Sequence, residues 1–264
     1  MKRKNKENYK NVLYFEDNKI GDDFVVGDIH GKFSDLENAL AKINFRKDKD
    51  RLFCCGDLGC RGEQSHLIPE YLNTSWFFSV RGNHDNFIIR AYEKDPTFSL
   101  NRWYNVMNGG IWWKDLDDKQ RYTIYESILK TPYAIEINYP DKSVGIVHAD
   151  VPDKYLWKTF LNELELNNEL IKKYATESRK RAKFSENTIS RHFNKNSQGS
   201  ISEKIIKGID VIYVGHTVQS EPTQVGNICF IDTGSGYQGD NNGEYQYKQG
   251  KITIVNIKNS KIVY

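Results

Sequence analysis

The stretch FVVGDIHGKFSDLENAL, Phe24 to Leu40, decides how the chain is read. Phe24 to Val26 is an apolar run that predicts a short buried strand. Ser34 and Glu37, set among Leu36, Leu40 and Ile43, predict a capping box that opens an amphipathic helix. Asp28 and His30 therefore stand in a strand-to-helix turn. In open α/β sheets such turns, at the carboxyl ends of strands, are where ligands bind, because the strand fixes the side chains while the loop stays accessible. A carboxylate and an imidazole two residues apart can share a metal ion. A plain Gly-Asp turn is the ordinary alternative, and the rest of the chain decides between the two.

The same design recurs four times. RLFCC leads into Gly56-Asp57-Leu58-Gly59-Cys60-Arg61-Gly62, and SWFFSV leads into Arg81-Gly82-Asn83-His84-Asp85, followed by the helical-looking NFIIRAY. VGIV leads into His148-Ala149-Asp150, and DVIYV leads into Gly215-His216-Thr217. The tail from ICFID to KIVY reads as closing strands around turns such as Asp232 to Gly236. Taken singly, His148 or His216 reads as a core histidine, Arg61 as a surface charge and Asn83 as a turn residue. Five coincidences at five strand ends are a different matter.

Asp28, His30, Asp57, Asn83, His148 and His216 supply three carboxylate or amide side chains and three imidazoles, without thiolate. That donor set suits Mn²⁺, Fe or Zn²⁺ rather than a soft cysteine-rich site. Six donors are too many for one catalytic ion that keeps open positions, but they fit two ions bridged by a carboxylate. Arg61 and Arg81 stand next to these donors, where a guanidinium is suited to holding a phosphate through two parallel hydrogen bonds.

Bulk properties set the outer limits. A chain of 264 residues with 38% hydrophobic content can bury a large core as one domain, placed at 13–264. A net charge of +3 favours no partner class, although positions 1–12 form a basic arm that reads as solvated. Cys54, Cys55, Cys60 and Cys229 lack paired metal spacing, and three of them crowd one segment, which argues for a reduced, cytoplasmic setting. No stretch approaches the length of a membrane-spanning helix, and the amino terminus lacks an apolar signal region.

Gly27-Asp-Ile-His-Gly31, Gly56-Asp57 with Arg61-Gly62, Gly82-Asn-His-Asp85, His148-Ala149-Asp150 and Gly215-His216 together resemble, in order, the signature blocks of the calcineurin-like metallophosphoesterases. Within that group the chain is most similar to the phage-type protein phosphatases, through WFFSVRGNHD, NGGIWW, VHADVP, IKGIDVIYVGHT and IDTG. The resemblance implies an α/β sandwich of two mixed β-sheets flanked by helices. It implies two divalent ions, Mn²⁺ first among the candidates: Asp28 and His30 on one, Asp57 bridging, and Asn83, His148 and His216 on the other. It also implies attack on phosphorus by a hydroxide between the ions, with Arg61 and Arg81 on the phosphoryl oxygens and His84 protonating the leaving alkoxide. A third arginine is expected from ESRKRA, with Arg181 assigned to the phosphate and Arg179 as the alternative.

The implied activity is a phosphomonoesterase acting on phosphoserine or phosphothreonine in proteins, with phosphotyrosine or small esters also accepted. Two departures keep a symmetrical diadenosine tetraphosphate hydrolase in view: Cys60, where protein phosphatases of the family usually carry an aspartate, and Asp85 in Gly-Asn-His-Asp, where they carry a glutamate. The basic segment between Lys172 and Lys195 raises removal of phosphates from RNA ends as a third possibility. A binding module without chemistry fits poorly, because all six donors and His84 are present.

Overall fold

The apolar run at Phe24 forms a strand buried along its whole length, Asp23–Val26, lying parallel to Arg51–Cys54 with Val25 opposite Phe53. Burial on both faces explains why the run is apolar throughout rather than alternating. The computed structural model describes residues 9–105, 109–185, 204–237 and 250–264. From the amino terminus the chain forms β1 (Val12–Glu16), β2 (Asp23–Val26), α1 (Phe33–Lys42), β3 (Arg51–Cys54), α2 (Ile68–Leu72), β4 (Phe77–Ser79) and α3 (Asn83–Tyr92). Then come α4 (Leu100–Trp103), α5 (Asp118–Leu129), β5 (Ala134–Asn138), β6 (Ser143–Val147), α6 (Trp157–Glu165) and α7 (Glu169–Glu177). The chain closes with β7 (Val211–Val214), β8 (Thr223–Val225), β9 (Ile228–Phe230), β10 (Ile254–Asn256) and β11 (Lys261–Ile262).

Two mixed sheets result. One is ordered β1-β5-β6-β7-β9-β8, the other β11-β10-β2-β3-β4. Val25, Phe53 and Val80 face Ile135, Ile137, Val144, Ile146 and Tyr213 in the layer where the sheets meet. Helices α1, α2, α3 and α5 cover the outer face of the smaller sheet, and α6 and α7 that of the larger. The architecture is the two-sheet sandwich flanked by helices that the resemblance implied.

Strand ends deliver the polar turns as expected. β2, β3 and β4 of one sheet and β6 and β7 of the other all run out toward the same rim, which carries Asp28, His30, Asp57, Asn83, His148 and His216.

Two local expectations need correction. Helix α1 starts at Phe33 after Lys32, with no side-chain cap, so Ser34 lies inside the first turn and the capping box does not form. Gln64, from the loop after β3, takes over: its Oε1 accepts the Ser34 N–H at 2.8 Å and its Nε2 donates to Ser34 Oγ at 2.7 Å. Glu37 turns outward to Lys47 Nζ and the Tyr71 hydroxyl, both at 2.8 Å. A partner distant in sequence has displaced the local cap. The second concerns the basic arm, which ends earlier than position 12. Asn11 donates to Leu164 O at 2.7 Å and Val12 is a buried residue of β1 opposite Ala134. Residues 1–8 of that arm lie outside the described residues. Among the described residues no helix is long and apolar enough to cross a membrane.

Candidate active site

Asp28 follows β2, Asp57 follows β3, Asn83 opens α3 after β4, His148 follows β6 and His216 follows β7. His30, Asp57 and His216 hold φ of 49°, 53° and 63°, a left-handed backbone that costs a residue with a side chain about 1 kcal/mol or more. Cys60 and Arg61, at 75° and 66°, share that conformation. Such a concentration of strain marks a place where the turn must aim side chains rather than relax. Two glycines let the turns close: a Cβ at Gly82 would meet the Asp57 carboxylate, and one at Gly215 the Asp28 carboxylate.

The side chains converge from both sheets. His30 Nε2 lies 3.8 Å from Asp28 Oδ2 and 3.6 Å from Asp57 Oδ2, while His148 Nε2 lies 3.5 Å from Asp57 Oδ1. Asn83 Oδ1 sits between His148 Nε2, at 3.0 Å, and His216 Nδ1, at 2.9 Å. Asp57 thus touches both groups, as a bridging carboxylate would. His148 Nδ1 donates to Cys55 O at 2.7 Å and His30 Nδ1 to Gly59 O at 3.0 Å, so in each neutral ring Nε2 carries the lone pair. The His148 lone pair points at the Asn83 amide and Asp57 carboxylate oxygens, which are also acceptors, whereas that of His30 receives a hydrogen bond from Arg61.

The charge state agrees. Burial pushes the Asp28 carboxyl well up, helped by Asp232 and Asp57; it pushes Asp57 up to about 7 and Asp85 up to about 6. Asp232, buried at the end of β9, shifts the same way. Burial also holds His148 down to about 4 and His30 and His216 well below the ordinary imidazole value, the neutral form that ligates metals. Buried carboxylates and neutral imidazoles are the donor set of a divalent cation site. Among the described residues, ligand atoms of Asp28, Asp57 and His148, and of His30, Asp57 and His84, lie within 4.8 Å of one another, two groups able to hold a metal ion.

His84 is 6% exposed beside this cluster. Burial and then Arg61 hold its imidazole well below the ordinary value. Its Nε2 lies 3.3 Å from Arg61 Nη2, and a guanidinium can only donate, so the ring proton sits on Nδ1, which is buried and without a hydrogen-bond partner among the described residues. Asp85 does not supply that partner. Its carboxylate accepts the backbone N–H groups of Gly82, Asp57 and Leu58 at 2.8 to 3.0 Å and braces the two turns. The Cys60 thiol, fully buried, is pushed up and stays neutral.

The arginines separate. Arg61 is in the site: it donates to His30 Nε2 and to the Tyr237 hydroxyl at 2.9 Å, with its guanidinium 4.1 Å from the Tyr237 ring centroid. Arg81 is not. Its guanidinium points away and donates to Ile128 O, Leu129 O and Thr131 O at 3.1, 2.7 and 2.9 Å, satisfying carbonyls at the end of α5. Arg181 is spent as well, donating to Asp150 at 3.0 Å and Asp153 at 2.6 Å. Arg179, the alternative, reaches the cluster and donates to His216 O at 2.7 Å and Thr217 Oγ1 at 3.1 Å. Sequence reasoning gave no role to Asp232 and Tyr237, which arrive through β9 beside β7; the signal was the Ile-Asp-Thr-Gly segment, which carried the resemblance but was otherwise read as a turn.

The calcineurin-like phosphoesterase family matches residues 24–220. The chain belongs to that family. Across 82% of its length it is 34% identical to a Salmonella typhimurium relative named serine/threonine-protein phosphatase 2, covering 89% of that protein; the Escherichia coli protein of the same name is 30% identical over the same share. A symmetrical bis(5′-nucleosyl)-tetraphosphatase of Hamiltonella defensa is 43% identical, but over 71 residues, 26% of either chain. Among solved structures, a candidate diadenosine tetraphosphatase superposes with a TM-score of 0.61 over 96% of both chains at 18% identity, which speaks to the fold. The family identifies the chemistry as phosphoester hydrolysis and gives the acidic, imidazole-rich cluster its divalent metals.

Proposed function

We propose that this chain is a metal-dependent phosphomonoesterase that removes phosphate from phosphoserine and phosphothreonine in proteins. The observation that carries the reading is the convergence of six oxygen and imidazole donors from five strand ends, with Arg61 and His84 beside them. Similarity over most of the chain to serine/threonine-protein phosphatases supports the substrate class.

Asp28 and His30 would hold one ion, Asn83, His148 and His216 the other, and Asp57 both. Oxygen and imidazole donors without thiolate suit Mn²⁺, Fe or Zn²⁺, and the family resemblance puts Mn²⁺ first. When bound, the ions supply Lewis-acid charge and lower the pKa of water. Arg61 and Arg179, rather than Arg81 and Arg181, hold the phosphoryl oxygens and offset their charge. His84, once its Nε2 beside Arg61 has taken up a proton, gives that proton to the departing alkoxide, a step worth about 10²-fold or more. Tyr237 steadies Arg61 from the far side.

A second reading, hydrolysis of a symmetrical dinucleoside tetraphosphate, is supported by the 71-residue stretch shared with the Hamiltonella defensa tetraphosphatase. One experiment separates the two: apo-protein reloaded with Mn²⁺ is assayed side by side on a phosphoserine peptide and diadenosine tetraphosphate. A kcat/KM at least tenfold higher on the peptide is expected. The reverse order would overturn the phosphoprotein reading.

A further inference from the structure

Gly109 and Gly110, the paired glycines of NGGIWW, are both buried beside the site, although neither carries a side chain that could take part in chemistry. We propose that Gly109 is a positioning residue for Arg61, setting where its guanidinium lies beside His30 and His84. The proposal rests on Arg61 holding the phosphoryl group and adds to that reading the part of the fold that aims it.

Arg61 needs support from outside its own turn. Its φ of 66° follows one of 75° at Cys60, two successive left-handed residues that each cost about 1 kcal/mol or more. Backbone hydrogen bonds keep them there: the Cys60 N–H donates to Ser65 Oγ at 3.0 Å, the Gly62 N–H to His30 O at 2.8 Å and the Arg61 N–H to Gly109 O at 2.9 Å. Ser65 and His30 hold the neighbours, and Gly109 holds Arg61 itself.

The contact is close as well as polar. A Cβ on Gly109 would lie 2.5 Å from Arg61 Cα and 2.8 Å from Arg61 Cγ, and closer still to its N. Ordinary carbon contacts are about 3.5–4.0 Å, so one side would have to withdraw by about 1 Å. The glycine side is walled in. Gly110 lies on the Trp103 ring, where a Cβ would stand 2.5 Å from Cε2 and 2.8 Å from Cγ, and its N–H donates to Trp103 O at 3.0 Å. Trp103 is 1% exposed and packs on Trp112 and Trp113, with ring centroids 6.5 and 5.9 Å away. Arg61 is therefore the side that yields. Its guanidinium, which meets His30 Nε2 and lies 3.3 Å from His84 Nε2, would leave that place, and a displacement of about 1 Å can cost about 10²-fold in rate.

The test is a double-mutant cycle on the full chain loaded with Mn²⁺, read as kcat/KM on para-nitrophenyl phosphate and as inhibition by inorganic phosphate. Gly109→Ala is expected to lower kcat/KM by about tenfold or more and to weaken phosphate inhibition. In Arg61→Ala the same substitution should change kcat/KM by less than about twofold, because the group it displaces is gone. Gly208→Ala is the control: its φ of 87° carries the same left-handed penalty, yet its Cβ would stand in ordinary contact with Trp157 Cβ at 4.0 Å, so kcat/KM should stay at the wild-type value. Gly109→Asn, a residue that tolerates the left-handed backbone, brings the same Cβ with less strain and should lose as much activity as Gly109→Ala. Equal losses in both Arg61 backgrounds, no loss in Gly109→Ala, or failure of Gly109→Ala and Gly109→Asn alike to fold would overturn the proposal. Wild-type kcat/KM in Arg61→Ala would instead sink the phosphate-holding role of Arg61, and the positioning role with it.

Discussion

Asn83 Oδ1 lies 2.9 Å from His216 Nδ1, although Asn83 follows β4 of the five-stranded sheet and His216 follows β7 of the six-stranded one. The proposed metal cluster is therefore completed only when the two sheets pack against each other. Anything that binds the native cluster and not the unfolded chain must stabilise the packing.

Thermal stability should accordingly depend on metal. Mn²⁺ at 100 times its dissociation constant adds about 2.7 kcal/mol per site, and chelator should remove it. Asn83→Ala is expected to lose a large part of the Mn²⁺-dependent rise in Tm, while its Tm in chelator changes little. Differential scanning calorimetry of both proteins, with and without Mn²⁺, reads the difference.

For His84 the informative measurement is the leaving-group dependence. His84→Asn should lower kcat on a phosphoserine peptide by about 10²-fold or more and lower it much less on para-nitrophenyl phosphate, whose phenolate needs little protonation. Equal losses on both substrates would assign His84 to binding.

Arg61 and Arg81 should fail in different ways. Arg61→Ala removes a guanidinium from the site and is expected to cut kcat/KM by about 10²-fold or more at nearly unchanged Tm. Arg81→Ala leaves the carbonyls of Ile128, Leu129 and Thr131 without their donor and should cost about 2–4 kcal/mol of stability, with kcat of the protein that remains folded close to wild type. Urea titration and steady-state kinetics on the two variants check the contrast.

The pH dependence of the chelated protein follows from the shifts. Imidazoles held below the ordinary 6.5 make stability rise with pH until the unfolded imidazoles have lost their protons, about one unit above that value. A carboxyl raised above its ordinary value stabilises at low pH and loses that contribution as pH rises through its folded value, about 7 for Asp57. The two contributions therefore oppose each other around neutral pH. Asp57→Asn removes the falling part, so its Tm in chelator should rise more steeply with pH than that of wild type, as thermal melts across the range would register.

The candidate metal donors were legible in the sequence because each is local to its strand end. A short apolar run followed by Gly-Asp, Asn-His, His-Ala-Asp or Gly-His specifies a turn at a fixed distance from the strand, and five such turns survive any detail of how the sheets are ordered. Family resemblance then supplied the pairing of those turns and the roles proposed for Asp57 and His84. Tertiary structure decided what long side chains do. Arg81 is adjacent in sequence to the Gly-Asn-His-Asp turn, yet its reach lets it turn toward the carbonyls that end α5, while Arg179 and not Arg181 arrives at His216 because Asp150 and Asp153 claim the latter. Ser34 and Glu37 lost their cap for the same reason, since Gln64, Lys47 and Tyr71 offer better partners from afar. Short donors on strained turns have nowhere else to point; long cationic and polar side chains go where the folded chain leaves the best-placed acceptors, and those come from residues distant in sequence.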